Sequence, residues 1–255
     1  MENPVYREAE RVRLCGELGE EVLSNARNEL YLSLRLLDAA LGSLSLVQKE
    51  DINPCGTDGL HLFYLPKGVI SLFKQDRRLL NRVYLHILMH CLFNHLDGSG
   101  SPGEKRLFGG EVTEEEKRLW NLASDLTAEY LVDGLYLPCA HKPKSALRLR
   151  IYRYVKESLG VVTAQGVYHL LKEGVLWQEG DLPSLEKEFY ADDHRFWGSL
   201  TREKKQEMQN RWKDIRERMQ TDMESFSAQA GKEQEALYET LCVSNHSSYD
   251  YREFL

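Results

Sequence analysis

Residues 84–95 read Tyr84-Leu85-His86-Ile87-Leu88-Met89-His90-Cys91-Leu92-Phe93-Asn94-His95. They lie inside a longer run, RRLLNRVYLHILMHCLFNHL (77–96), that is apolar almost all round. Asp76 stands where a capping side chain belongs, and Gly98 follows the run. The pattern predicts a helix from Asp76 to about Leu96, lying in the middle of the fold. His86 and His90 are four residues apart, about 400° of helical rotation, so both imidazoles leave the same face one turn apart. Two histidines so placed can chelate one zinc ion. They also fit core residues bonded to backbone or carboxylates. Ionisable groups this deep in an apolar helix need partners in either case.

In the H-E-x-x-H helix of zinc peptidases a glutamate follows the first histidine and takes a proton from metal-bound water. Here that position is Ile87, which has no proton to give and no lone pair to accept one. General-base assistance is worth about two to four powers of ten in rate. The metal-binding half of the pattern is present and the catalytic half is missing.

Zinc needs at least three protein ligands. Thr113 with Glu116 forms a capping box that starts a second helix, Glu114 to Asp133, ended by Gly134. Asp125 sits in its middle among apolar residues, where aspartate has poor helix propensity. Glu129 is one turn later on the same face. One of these carboxylates can bind a metal while the other orients a ligand histidine; an exposed acidic stripe with Asp133 is the alternative. His95 is the other candidate third ligand. Nine residues after His86, about 900° round the helix, it faces away unless the helix breaks near Asn94. Asp192-Asp193-His194 reads as a solvated helix start, or as a segment folded back to supply a carboxylate. No G-x-S-x-G and no glycine-rich phosphate loop occurs.

The 255 residues suffice for one large or two modest domains, and 42% hydrophobic with 29% charged residues is a globular composition. A formal charge of -7 argues against nucleic acid as a partner. No apolar run approaches a membrane span, and MENPVYREAERVRL lacks a signal-peptide core, which points to the cytoplasm. The five cysteines contain no C-x-x-C pair and read as reduced, buried thiols.

Glu8 to Leu41 reads as a core helix. A turn-rich stretch, Asp51 to Gly59, leads to a strand, Leu60 to Tyr64, with His61 on its opposite face; Val69 to Phe73 is a second strand or a short helix. Ser99 to Gly110 is a mobile loop. Lys142 to Lys156 is basic, a solvated face or a patch for an acidic partner. Thr163 to Lys172 is a turn and helix. Leu185 to Leu241 is helical, charged and studded with aromatics, as one long helix or as two with a break near Gly198. The ending, Tyr249 to Leu255, suggests that the natural protein continues.

Several pieces come in a fixed order from about residue 50: Thr57-Asp58-Gly59 before a strand, the His86-Ile87-Leu88-Met89-His90 helix with His95, Trp120 to Asp125, then Asp192-Asp193-His194 with Trp197. In this order they resemble a bacterial family, the zincin-like metallopeptidase-like domain that precedes a von Willebrand factor A-like domain in cytosolic proteins. The resemblance implies a bound zinc, with His86 and His90 as metal histidines and Asp125 as the acidic ligand. It gives the glutamate base no counterpart. It also implies a MoxR-type AAA+ ATPase as partner, in assembly or remodelling.

The expected fold is mainly α with a small β element. A zincin-like domain, residues 1–184, is followed by a charged helical extension, residues 185–255, leading to the von Willebrand-like half. The expected function is a degenerate metallopeptidase-like module that binds or scaffolds proteins without cleaving them. Its rivals are an active hydrolase with a displaced base, Glu129 or Asp193, and a metal-free interaction domain.

Overall fold

The computed structural model describes residues 4–97, 112–176, 182–226 and 234–253. It is mainly helical with one small sheet. Helix α1, Pro4–Ser33, stops short of the expected Leu41. Leu34 turns extended, a single 3-10 turn covers Arg35–Leu37, and α2 is the short Asp38–Leu41. This break lets the adjacent Leu36 and Leu37 both pack on the core and leaves Leu32 exposed.

Three short strands follow: β1 Ser45–Gln48, β2 Cys55–Thr57 and β3 His61–Tyr64. Their order is β1-β3-β2. β1 runs parallel to β3, with Ser45 opposite His61, and β2 runs antiparallel to it, with Thr57 opposite Leu62. β2 lies inside the stretch read as turns; three residues with a central glycine leave no alternation to detect. Leu62 is buried, while the half-buried His61 bonds Asp58 through Nδ1 at 2.8 Å. Val69 to Phe73 is helical, within α3, Pro66–Gln75, because Pro66 sets the first turn.

Helix α4, Arg77–Leu92, begins at Asp76, whose carboxylate accepts from the Arg78 N–H. Every residue from Leu80 to Leu92 is buried. The helix ends before the predicted Leu96. Asn94 adopts a left-handed φ of 54°, and His95–Asp97 form a separate 3-10 turn. Asparagine tolerates that conformation better than most residues. The mobile loop expected over Ser99 to Gly110 lies outside the described residues.

Helix α5, Glu114–Gly134, starts with the expected Thr113–Glu116 capping box. Gly134 belongs to its last turn instead of terminating it, and the left-handed residue is Tyr136. A Cβ at Gly134 would lie 3.4 Å from that of Ala236, an ordinary van der Waals contact between the two helices. Next come α6, Ala146–Leu159, α7, Ala164–Lys172, capped by Thr163, and α8, Leu182–Phe189. The basic segment is not simply a solvated face: Arg148 is 1% exposed. Three carboxylates, of Glu129, Asp133 and Glu188, draw it inward. A break containing Gly198, at φ 73°, precedes α9, Arg202–Phe226, and then α10, Glu235–Glu253.

Two apolar clusters meet along α5. Ala128 to Leu135 join α1, the sheet, α4, α9 and α10 in the larger one. Leu119 to Leu126 join α6, α7 and α8 in the other. The stripe Met208, Trp212, Ile215, Met219 and Met223 seats α9 on the larger cluster. Asp125 therefore lies where the clusters divide. Among the described residues no helix is long and apolar enough to cross a membrane.

Candidate metal centre

Helix α4 presents His86 and His90 one turn apart, α5 presents Asp125, and the chain beyond α8 presents Asp192 and His194. One donor atom from each lies within 4.8 Å of all the others. The two Nε2 atoms of His86 and His90 are 2.8 Å apart. Asp125 Oδ1 is 3.2 Å from His86 Nε2, 3.3 Å from His90 Nε2 and 3.0 Å from His194 Nε2. Asp192 Oδ1 is 3.3 Å, 3.5 Å and 3.0 Å from the same three nitrogens. His86, His90 and Asp192 are fully buried, and only Asp125 and His194 keep slight exposure.

The donors fit a cation. Glu129 Oε1 lies 3.1 Å from His86 Nδ1. An ionised carboxylate only accepts, so Nδ1–H donates to it, and in the neutral ring Nε2 aims its lone pair into the cluster. Asp192 Oδ2 is buried with no hydrogen-bond partner. Donors about 2.1 Å from one ion stand roughly 3.0–3.4 Å from their neighbours, and the separations here run from 2.8 to 3.5 Å. Residues His86, His90, Asp125, Asp192 and His194 could together hold a metal ion.

Protonation is the alternative source of positive charge. Burial pulls His86 down, but Asp125, Asp192 and Glu129 overcome it and hold the imidazole well above its ordinary value. Burial likewise opposes, and Asp125 with Asp192 outweighs it, in raising His194 to about 10. Both aspartates are held below the ordinary carboxylate range: burial pushes them up, and facing imidazoles, His194 foremost, pull them further down.

A second layer of residues fixes this arrangement. Arg82 donates to Glu129 Oε2 from Nε at 2.9 Å and Nη2 at 2.7 Å, and Arg148 Nη1 donates to the same oxygen at 2.6 Å. Asp133 accepts from both arginines and from the Tyr152 hydroxyl. Burial raises Glu129, yet His86 and the arginines bring it below the usual range. Behind His90, His95 Nδ1 lies 3.0 Å from His90 Nδ1. Burial, reinforced by the neighbouring histidines, keeps His95 neutral.

The segment carrying Asp192 and His194 is fastened to the sheet. The Asp193 N–H donates to the Cys55 carbonyl at 2.8 Å, and Gly56 forms a parallel bridge with Asp193. A Cβ at Gly56 would collide with the Asp193 carbonyl, so glycine is required there. Tyr190 donates to the Asn53 carbonyl, Arg195 to that of Asp51, and Phe196 packs on Phe63. His194 stacks on Trp197 with centroids 3.7 Å apart. Asp192-Asp193-His194 is thus not a solvated helix start. A cleft of about 730 Å³ opens beside the centre, bordered by Asp125, His194, Tyr190 and Trp197.

No family model, curated protein or solved structure matches this chain. The site therefore rests on its own geometry. His86, His90 and Asp125 converge, and Glu129 orients His86 from the side away from the cluster. His95 is not one of the five donors: the helix does break at Asn94, the condition set for His95 to turn back, and it lies against His90 without joining the cluster. Asp193 turns away: its carboxylate accepts from the Arg195 N–H and pairs with that guanidinium at 2.8 Å. Ile87 is buried in the larger apolar cluster. The segment does fold back to supply a carboxylate, the second of the two readings of Asp192-Asp193-His194, but the sequence did not say that the carboxylate is Asp192 or that His194 joins it. Their spacing of two was the available signal, since it puts both side chains on one side of an extended segment.

Proposed function

We propose that this chain is a metal-centred binding or scaffolding module, a degenerate zincin-like metallopeptidase domain that does not cleave peptides. One observation carries this reading: five protein donors converge while, among the described residues, each position considered for a base is otherwise engaged. Ile87 is in the apolar core, Glu129 is tied to two arginines on the far side of His86, and Asp193 is paired with Arg195. A general base must come within hydrogen-bond reach of the attacking water, directly or through one more water.

When bound, the ion supplies positive charge that binds three chain segments into one unit. His86 and His90 hold it from α4, Asp125 from α5, and Asp192 with His194 from the segment after α8. Zinc, a MoxR-type AAA+ ATPase partner and an attached von Willebrand factor A-like domain complete the proposal, on the strength of the motif order.

Elemental analysis of protein purified without added metal tests the reading. About one ion per chain is expected, and a quenched-peptide library should stay intact. Cleavage lost in Glu129→Gln or Asp193→Asn would establish the displaced-base hydrolase instead. A chelator that changes neither fold nor melting temperature would establish the metal-free domain, with His86 and His194 protonated.

A further inference from the structure

Zinc sites built by proteins are overwhelmingly four-coordinate, with four protein ligands in structural centres and three in catalytic ones. This cluster offers five donor atoms. Four points on a sphere of about 2.1 Å radius can all stand roughly 3.4 Å apart, as in a tetrahedron. A fifth forces neighbours closer, towards the roughly 3.0 Å of an octahedral edge. Six of the seven separations, at 2.8, 3.0, 3.0, 3.2, 3.3 and 3.3 Å, fall below the tetrahedral value.

The chemistry of the donors points the same way. They are three imidazoles and two carboxylates, with no thiolate among them. Cys55 and Cys91 are buried nearby, but neither joins the group, and burial pushes both thiols up, away from the thiolate form a metal needs. Two carboxylates neutralise a dication, which suits a largely buried site. Mixed imidazole and carboxylate ligation with more than four positions belongs to manganese(II) and iron(II) rather than to soft or tetrahedral ions.

We propose that Asp192 and His194 are ligands equal in rank to His86, His90 and Asp125, and that the centre holds a five- or six-coordinate divalent ion of the manganese(II) or iron(II) class. This rests on the metal-centre reading above and departs from it in the identity of the ion.

The test uses the full chain, stripped with chelator and reloaded separately with cobalt(II), manganese(II) or zinc(II). Cobalt-loaded protein should show the weak visible absorption of five- or six-coordination. Asp192→Asn and His194→Gln should each weaken manganese binding at least about tenfold, because even residues behind the ligands cost 10–100-fold. An intense four-coordinate cobalt spectrum, or manganese affinity unchanged in both variants, overturns the proposal and leaves a zinc-type centre standing. Failure of the parent protein to take up any of the three ions overturns the metal reading itself. The cobalt spectrum of the unaltered chain decides the coordination number even where Asp192→Asn does not fold.

Discussion

Replacing Arg148 by methionine tests the layer that holds the centre together. Arg148 is 1% exposed, and its side chain makes four hydrogen bonds. Nη1 donates to Glu129 at 2.6 Å and to Asp133 at 3.2 Å; Nε and Nη2 donate to the side chain and carbonyl of Glu188, both at 2.8 Å. Methionine fills similar space but leaves the carboxylates short of a cation. Removing one partner from a buried ion pair costs about 3–5 kcal/mol. Arg82 still reaches Glu129 and Asp133, so the lower end, about 3 kcal/mol, is expected. For a chain of this size that is a fall in Tm of roughly 6–12 °C.

Urea unfolding followed by far-ultraviolet circular dichroism measures the loss, and a double-mutant cycle with Glu129→Gln isolates the coupling. The second substitution should cost far less once Arg148 is gone. The pH dependence has a definite sign. The Glu129 carboxyl is depressed in the folded chain, so its contribution is complete above the unfolded carboxylate value of about 4.3 and fades as pH falls towards the folded value. The variant should lose less than the parent over that acidic window. A cost under about 1 kcal/mol, or strict additivity in the cycle, would refute the idea that these charges act as one network.

Three further outcomes are expected. Ile87→Glu, which completes the H-E-x-x-H pattern, should produce no peptidase and lower stability by several kcal/mol, because the new carboxylate enters the apolar core; peptide-library cleavage and thermal melting check both. Stripping the ion should lower the melting temperature, since an ion at about one hundred times its Kd stabilises by about 2.7 kcal/mol; calorimetry with and without chelator reads this. Gly59→Ala should destabilise by about 1 kcal/mol or more, because Gly59 has φ 91° and a Cβ there would meet Met208 at 2.7 Å; urea unfolding measures it.

The parts legible in the sequence were those with local causes. Asp76 and Thr113 announced their helices because capping acts over three residues. His86, His90, Asp125 and Glu129 could be placed on helix faces by rotation alone. The turn at Asn94 was harder, since the apolar pattern runs straight through it and the nearest glycine is Gly98. Arg82 and Arg148 were illegible because their partners lie on other helices: Glu129 and Asp133 on α5, Glu188 on α8. β2 was missed because its pairing with β3, not its composition, makes it a strand. Asp192 needed the whole fold, as its neighbours at the cluster come from α4 and α5.

The order of the donors along the chain gives the centre a history. During synthesis His86 and His90 emerge first and Asp125 follows, a trio that suits a four-coordinate ion. Asp192 and His194 leave the ribosome much later, after α6, α7 and α8. A metal captured early would meet a different set of ligands from one captured after release, so the timing of loading would join the finished geometry in choosing the element this cluster can hold.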